Sequence, residues 1–400
     1  MEASAVTAAA GSPPVATDLP PLRLTGRAAN VREVLAEGVK VAAAPGAEGN
    51  GSVVEPVDAL VLTNLANGRW LTGFSGSAMV VVLTSDDLLV VTDGRYATQA
   101  PAELEAAGVE GRVVIANRGS EQQEAAAAAV DGLSRIALEA DHVSWSRHRK
   151  FAGEWFTSAD LVPSTGVIER LRRRKSPEEV ARMTAAAAAA DGALAEVLPR
   201  LAERPTEGEV AAELDHLMRR RGASGSAFDT IVAAGENSAL PHARPGPRRI
   251  EPGDLVVIDF GAIVDGYRSD MTRTVCVGEP RAPGGKVYEV VREAQQAGVE
   301  AVADGVSCAD VDAVCRELIS EAGWGEAFLH STGHGVGLDI HEAPTLSSRS
   351  TEVLATGEVV TVEPGIYLAG TGGVRIEDTV LVTGDGCRRL TCSPKALVVA

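Results

Sequence analysis

Short runs of Val, Leu and Ile, each ending at a turn signal, recur along the first part of the chain. "VDALVLTN" and "SAMVVVLTSDDLLVVTDGRY" read as strands, "EQQEAAAAAVDGL" as a helix and "RIALEAD" as another strand. Such alternation predicts a small α/β domain over residues 23–165. The Ala-, Gly-, Pro- and Ser-rich residues 1–22 before it predict disorder.

A different rhythm begins in a boundary region at 162–175 and gives a second domain over residues 166–400. Ser176 is placed to cap a helix with Pro177 at its first position and Glu178 and Glu179 in its first turn. The Ala-rich helix runs to about Pro199. Helical patterns follow over Thr206–Ala223, Gly285–Ala303 and Cys308–Ala322. Strand patterns lie at 228–234, 255–261, 268–277, 359–368 and 373–382, so helix pairs with antiparallel hairpins predict an α+β domain.

Four acids interrupt these apolar strands. "DLVVIDFGAIVDGYRSDMTRTVCVG" carries Asp259 and Asp270 on the two arms of one hairpin. A turn centred on Val264 and Asp265 sets them directly opposite; a two-residue loop of Asp265 and Gly266 makes them diagonal neighbours. Both registers place them on one face of the sheet. In "VVTVEPGIYLAGTGGVRIEDTVLV" a three-residue loop at 369–371 sets Glu363 opposite Glu377. Adjacent buried carboxylates repel, so such pairs call for a proton or a cation between them.

Imidazoles are gathered nearby: His330, His334 and His341 in "HSTGHGVGLDIHE", and His242 in "ALPHARPG". Either aspartate alone would be an ordinary edge or bulge residue, and "GHGVG" alone an ordinary glycine-rich turn. Together, four carboxylates and an imidazole form a hard ligand set for two ions among Mn²⁺, Co²⁺, Fe²⁺ and Zn²⁺.

Composition narrows the remainder. The 400 residues are 45 % hydrophobic with a formal net charge of −18, a soluble balance that disfavours nucleic acid and anionic membrane. The one basic run, Arg170–Lys175, reads as a solvated helical face or an inter-domain contact. No stretch reaches the roughly 18 apolar residues of a membrane span. Without a recognisable signal peptide, the five dispersed cysteines are expected reduced and the chain cytoplasmic.

The order D-x₁₀-D, H, E-P-G, R-x-E over about residues 170–395 resembles the pita-bread (creatinase/aminopeptidase) metallopeptidases, which include methionyl aminopeptidase, aminopeptidase P and prolidase. "RWLTGFSGSAMVVVLTSDDLLVVTDGRY" is similar to the smaller creatinase-like N-terminal domain of the Xaa-Pro branch. The resemblance implies that Asp259 binds one metal ion, that Asp270 and Glu377 bridge two, and that His334 and Glu363 complete the set. It also implies two divalent ions, Mn²⁺ foremost, with a bridging hydroxide that attacks the Xaa-Pro bond of short peptides with proline second. His242 is then the substrate-side group at the transition state, His341 the contact to the peptide carbonyl, and His330 a residue near the proline pocket. Glu363 relays the proton, and Arg375 holds a ligand carboxylate in place. A homodimer or homotetramer is implied by the same likeness. A methionyl-aminopeptidase-like or a creatinase-like hydrolase is the alternative on this fold, and a non-catalytic binding module a third reading. One departure stands out: where some prolidases read HE-x-P-R, this chain reads "HEAPT", ending in Thr345, which weakens a strict dipeptidase reading.

Overall fold

The computed structural model describes residues 19–41 and 53–399. The disorder expected at the N-terminus falls almost wholly outside them. The chain divides into two compact units, Pro21–Arg172 and, with the residues before Pro21, Arg173–Ala400. The helix Val167–Arg172, within the boundary region expected at 162–175, falls in the first unit.

The first unit is built on an eight-stranded mixed sheet. Its order is Val53–Glu55, Val39–Val41, Asp160–Ser164, Arg135–Glu139, Ala59–Leu62, Val80–Thr84, Leu88–Thr92 and Arg112–Ile115. The three strands from Ala59 to Thr92 are buried at every position, which is why they read as unbroken apolar runs rather than alternating ones. A core of these strands with Ala126, Phe151, Trp155 and Phe156 fills one face.

In the second unit the helix Pro177–Val197 starts with a reciprocal capping box. The Glu179 amide donates to Ser176 Oγ (3.4 Å) and the Ser176 amide to Glu179 Oε2 (2.8 Å). Half of its buried residues are alanine, which lets it lie close to the helix Glu207–Arg220 and the strands Ala262–Val264 and Tyr267–Arg268. The helices Gly284–Ala301 and Cys308–Glu321 cover a second sheet of Glu342–Leu346, Gly333–Gly335, Val359–Val362, Asp378–Thr383 and Gly386–Arg389. Among the described residues no helix is long and apolar enough to cross a membrane.

Both hairpins keep one register from end to end; the expected strand 255–261 forms as Leu255–Phe260, but those expected at 268–277, 359–368 and 373–382 each break in two. Asp265 (φ 45°) and Gly266 (φ 78°) form a two-residue turn with Val264 opposite Tyr267, and the same register sets Asp259 opposite Thr272. Of the two registers open in the sequence, this is the diagonal one. The second hairpin turns through 369–371 with Leu368 opposite Gly372, as expected. Its ladder breaks at the acids. The Glu363 amide donates to Thr332 O (2.7 Å), the Glu377 amide donates to Thr272 O (3.1 Å), and Pro364 has no amide proton to give. Each glutamate therefore sits where its strand leaves one partner for another.

The basic run is only partly solvated, with Arg170 and Arg174 exposed. Arg172 is buried with a hydrogen bond to Asn67 Oδ1 (2.7 Å), Arg173 pairs with Glu352 and Glu358, and Lys175 lies 3.1 Å from Glu342. The five cysteines are all free.

Candidate metal centre

The five expected ligands line one cavity of about 660 Å³ in the second unit. Asp270, His334 and Glu377 offer ligand atoms that all lie within 4.8 Å of one another. His334 Nε2 is 3.6 Å from Asp270 Oδ2 and 3.4 Å from Glu363 Oε1. Asp259 stands slightly apart, held through Oδ2 by Arg375 Nη2 at 2.6 Å. Close packing delivers His334: a Cβ on Gly333 would lie 1.9 Å from Thr361 O, so only glycine lets this strand seat against its neighbour.

Burial and mutual repulsion set the charges. Burial, then the negative field of Glu377, Asp259 and Glu363, holds Asp270 well above the usual carboxylate range. Glu377 is raised in the same way, by burial and by Glu363 and Asp259. Burial raises Glu363 to about 7, with Arg375 opposing the rise and Asp259 adding to it. Burial depresses His334 and His341 as well. Without cations this cluster takes up protons.

The atoms also suit a divalent ion. Asp259 Oδ1 and Glu377 Oε1 are buried with no hydrogen-bond partner. His334 Nδ1 faces Gly335 O at 3.0 Å, and a carbonyl can only accept. The proton therefore sits on Nδ1 and the Nε2 lone pair faces the carboxylates. Orphaned carboxylate oxygens beside an imidazole lone pair form a hard donor set.

Arg375 organises the polar wall around this set. Burial opposes its charge, but Tyr367, Asp259 and Glu363 outweigh that and keep it protonated. It donates to Asp259, to Tyr367 Oη (2.7 Å), to Thr272 Oγ1 (3.2 Å) and to Pro241 O (3.3 Å). Thr272 Oγ1 in turn donates to Glu377 Oε2 at 2.7 Å, so one guanidinium positions two of the acids. Sequence reasoning missed Thr272, Thr361 and Tyr367. Thr272 carried a readable signal, since it shares the face of Asp259 and Asp270, whereas Tyr367 is recruited across the fold and gave none.

The histidines differ in freedom. His330 is half-buried, loss of solvent depresses it to about 4, and both ring nitrogens are engaged: Nδ1 with Ser331 O (2.8 Å) and Nε2 with Tyr367 Oη (2.8 Å). It can offer the cavity only its ring. His341 packs edge-on against His334, with ring centres 4.5 Å apart, and His242 is exposed on the cavity wall. Beneath the site Arg273, fully buried, donates to Asp378 Oδ1 (2.8 Å) and to the carbonyls of Thr272 and Glu377, joining the two acid-bearing hairpins from behind.

Residues 181–384 match the metallopeptidase family M24, and residues 54–174 match the creatinase/prolidase N-terminal domain. The chain belongs to metallopeptidase family M24. An uncharacterized peptidase of Bacillus subtilis is 41 % identical over 344 residues, 86 % of this chain and 96 % of that one. Among solved structures, an Xaa-Pro dipeptidase from Bacillus anthracis superposes with a TM-score of 0.81 at 41 % identity, covering 86 % of this chain and 95 % of that one. An X-Pro aminopeptidase from Thermotoga maritima gives 0.80 at 36 % identity, covering 86 % and 98 %. This M24 chain thus has the fold class expected of it, a pita-bread catalytic domain after a creatinase-type N-terminal domain. It is a metallopeptidase by family, and family membership implies divalent metal ions, which Asp270, His334 and Glu377 are grouped closely enough to hold.

Proposed function

We propose that this chain hydrolyses the bond between an N-terminal residue and a following proline in short peptides, with two divalent ions, Mn²⁺ foremost, held by Asp259, Asp270, His334, Glu363 and Glu377. The observation that carries this reading is the meeting of all five residues in one cavity with two orphaned carboxylate oxygens. The Xaa-Pro names of two solved neighbours support the substrate. Bound there, such ions supply Lewis acidity toward a carbonyl oxygen and activation of water near neutral pH.

The chain's own groups do the rest. Glu363 is the carboxyl that carries a proton to the departing proline nitrogen. His242 makes no hydrogen bond within the described residues and is free to donate to the oxyanion that develops on the scissile carbonyl. His341 orients the peptide carbonyl. Proline nitrogen has no N–H to satisfy, so shape must select it, and the His330 ring with Phe228, Ile231 and Ile340 supplies an apolar wall. Arg375 keeps Asp259 and, through Thr272, Glu377 in place.

Five free cysteines support a cytoplasmic setting, and the net charge of −18 supports a protein without nucleic-acid or membrane partners. The homodimer or homotetramer rests on the family likeness. The test is a peptide panel with the chain loaded in turn with Mn²⁺, Co²⁺ and Zn²⁺. Cleavage of Ala-Pro or Ala-Pro-Ala with Met-Ala-Ser left intact supports the reading. Release of Met alone would overturn it in favour of a methionyl aminopeptidase.

A further inference from the structure

The cavity is lined by two arginines of opposite character. Arg375 already serves Asp259, Tyr367, Thr272 and a main-chain carbonyl. Arg244 has an exposed side chain on the same wall and, among the described residues, donates no hydrogen bond and meets no carboxylate. It is therefore the unengaged cation of a cavity otherwise lined by Asp229 and the four carboxylates of the metal set.

Its main chain is well anchored. Glu207, fully buried, accepts from the amides of Gly246 (3.1 Å) and Ala234 (2.8 Å) and from Asn237 Nδ2 (2.9 Å). The Gly208 amide donates to Gly246 O (3.0 Å), and Ala243 is buried and donates to Leu240 O (3.2 Å). The segment bearing Arg244 is thus tied on both sides, and the freedom left to the guanidinium is that of its own side chain.

We propose that Arg244 binds the free C-terminal carboxylate of the substrate and so makes dipeptides the preferred class. This rests on the Xaa-Pro reading above. A carboxylate drawn into a cavity of acids needs a counter-charge, and planar guanidinium matches it with two parallel donors. Thr345, on the wall beside His334, offers only a hydroxyl. Position agrees as well. Arg244 lies two residues beyond His242, a separation of at most about 7 Å along the chain. In a dipeptide the carboxylate lies one residue beyond the scissile carbonyl that His242 faces. In a tripeptide that position is an amide, and the charge lies a residue further out.

The test compares the metal-loaded wild type with Arg244→Ala and Arg244→Gln on Ala-Pro, Ala-Pro amide and Ala-Pro-Ala. Wild type should prefer Ala-Pro to its amide. Each variant should lower kcat/KM for Ala-Pro about tenfold, through KM rather than kcat, and leave the amide unchanged. Equal losses on acid and amide, or no loss on either, would overturn the assignment. If wild type cuts the amide as well as the acid, and the variants change nothing, this inference falls alone. If wild type cuts none of the three, the Xaa-Pro reading falls first.

Discussion

Thr272→Val isolates how the wall holds the metal ligands. The change keeps the volume and removes one hydroxyl, which accepts from Arg375 Nε at 3.2 Å and donates to Glu377 Oε2 at 2.7 Å. In the metal-free protein burial and its acidic neighbours raise Glu377 well above the ordinary range and so favour its neutral carboxyl form. A hydrogen bond of that kind contributes about 0.5–1.5 kcal/mol. With metal bound Glu377 is a carboxylate, and the same bond contributes about 1.5–3 kcal/mol. The difference, on the order of 1–1.5 kcal/mol, falls on metal affinity and predicts about tenfold weaker binding. Calorimetric titration with Mn²⁺, beside urea unfolding of the metal-free protein, reads the two parts separately. Unchanged affinity with a loss of metal-free stability would show that Thr272 only packs, and would refute the coupling drawn here between Arg375 and Glu377.

Four further outcomes follow from the structure. The folded pKa of Glu363, about 7, lies above its ordinary value of 4.5, so across that interval the folded metal-free protein binds more protons than the unfolded chain. Its contribution is complete below pH 4.5 and lost as the pH climbs to 7; Glu363→Gln should remove that part of the fall in melting temperature, whereas an unchanged profile would place the proton elsewhere. Tyr367→Phe leaves His330 Nε2 without a donor and Arg375 Nη1 with only the longer bond to Pro241 O, and urea unfolding should show a loss of about 1–3 kcal/mol. Asp378→Ala strands the buried Arg273 and should lose about 3–5 kcal/mol in the same measurement. Arg204→Ala, at the exposed pair with Glu251, should lose less than about 1 kcal/mol.

Strand parity made the acids legible. Side chains alternate with period two, so either plausible turn put Asp259 and Asp270 on one face, and the Asp265–Gly266 turn then chose the diagonal register. The 369–371 loop was legible for the same reason. The breaks within the strands were hidden, because the Glu363 and Glu377 amides find partners, Thr332 and Thr272, that are remote in sequence. The polar wall was only half legible. The motif marked Arg375 but not Tyr367, which depends on how two hairpins pack. The run from Arg170 to Lys175 was half legible: Arg170 and Arg174 are exposed as charge density implies, while in the fold Glu342, Glu352 and Glu358 meet Arg173 and Lys175 from the far end of the chain.

The clustering of Asp270, Glu363 and Glu377 has a consequence for how the protein is loaded. All three are raised by burial and by the charge of neighbouring acids, which favours protons on the metal-free site. Cation entry must displace them, which makes hydrogen ion and divalent ion competitors for the same oxygens. Occupancy then follows the ratio of metal activity to a power of proton activity. An acid shift at constant metal concentration would lower the occupancy of a folded chain, and the heat of loading would vary with the ionisation enthalpy of the buffer that receives the protons.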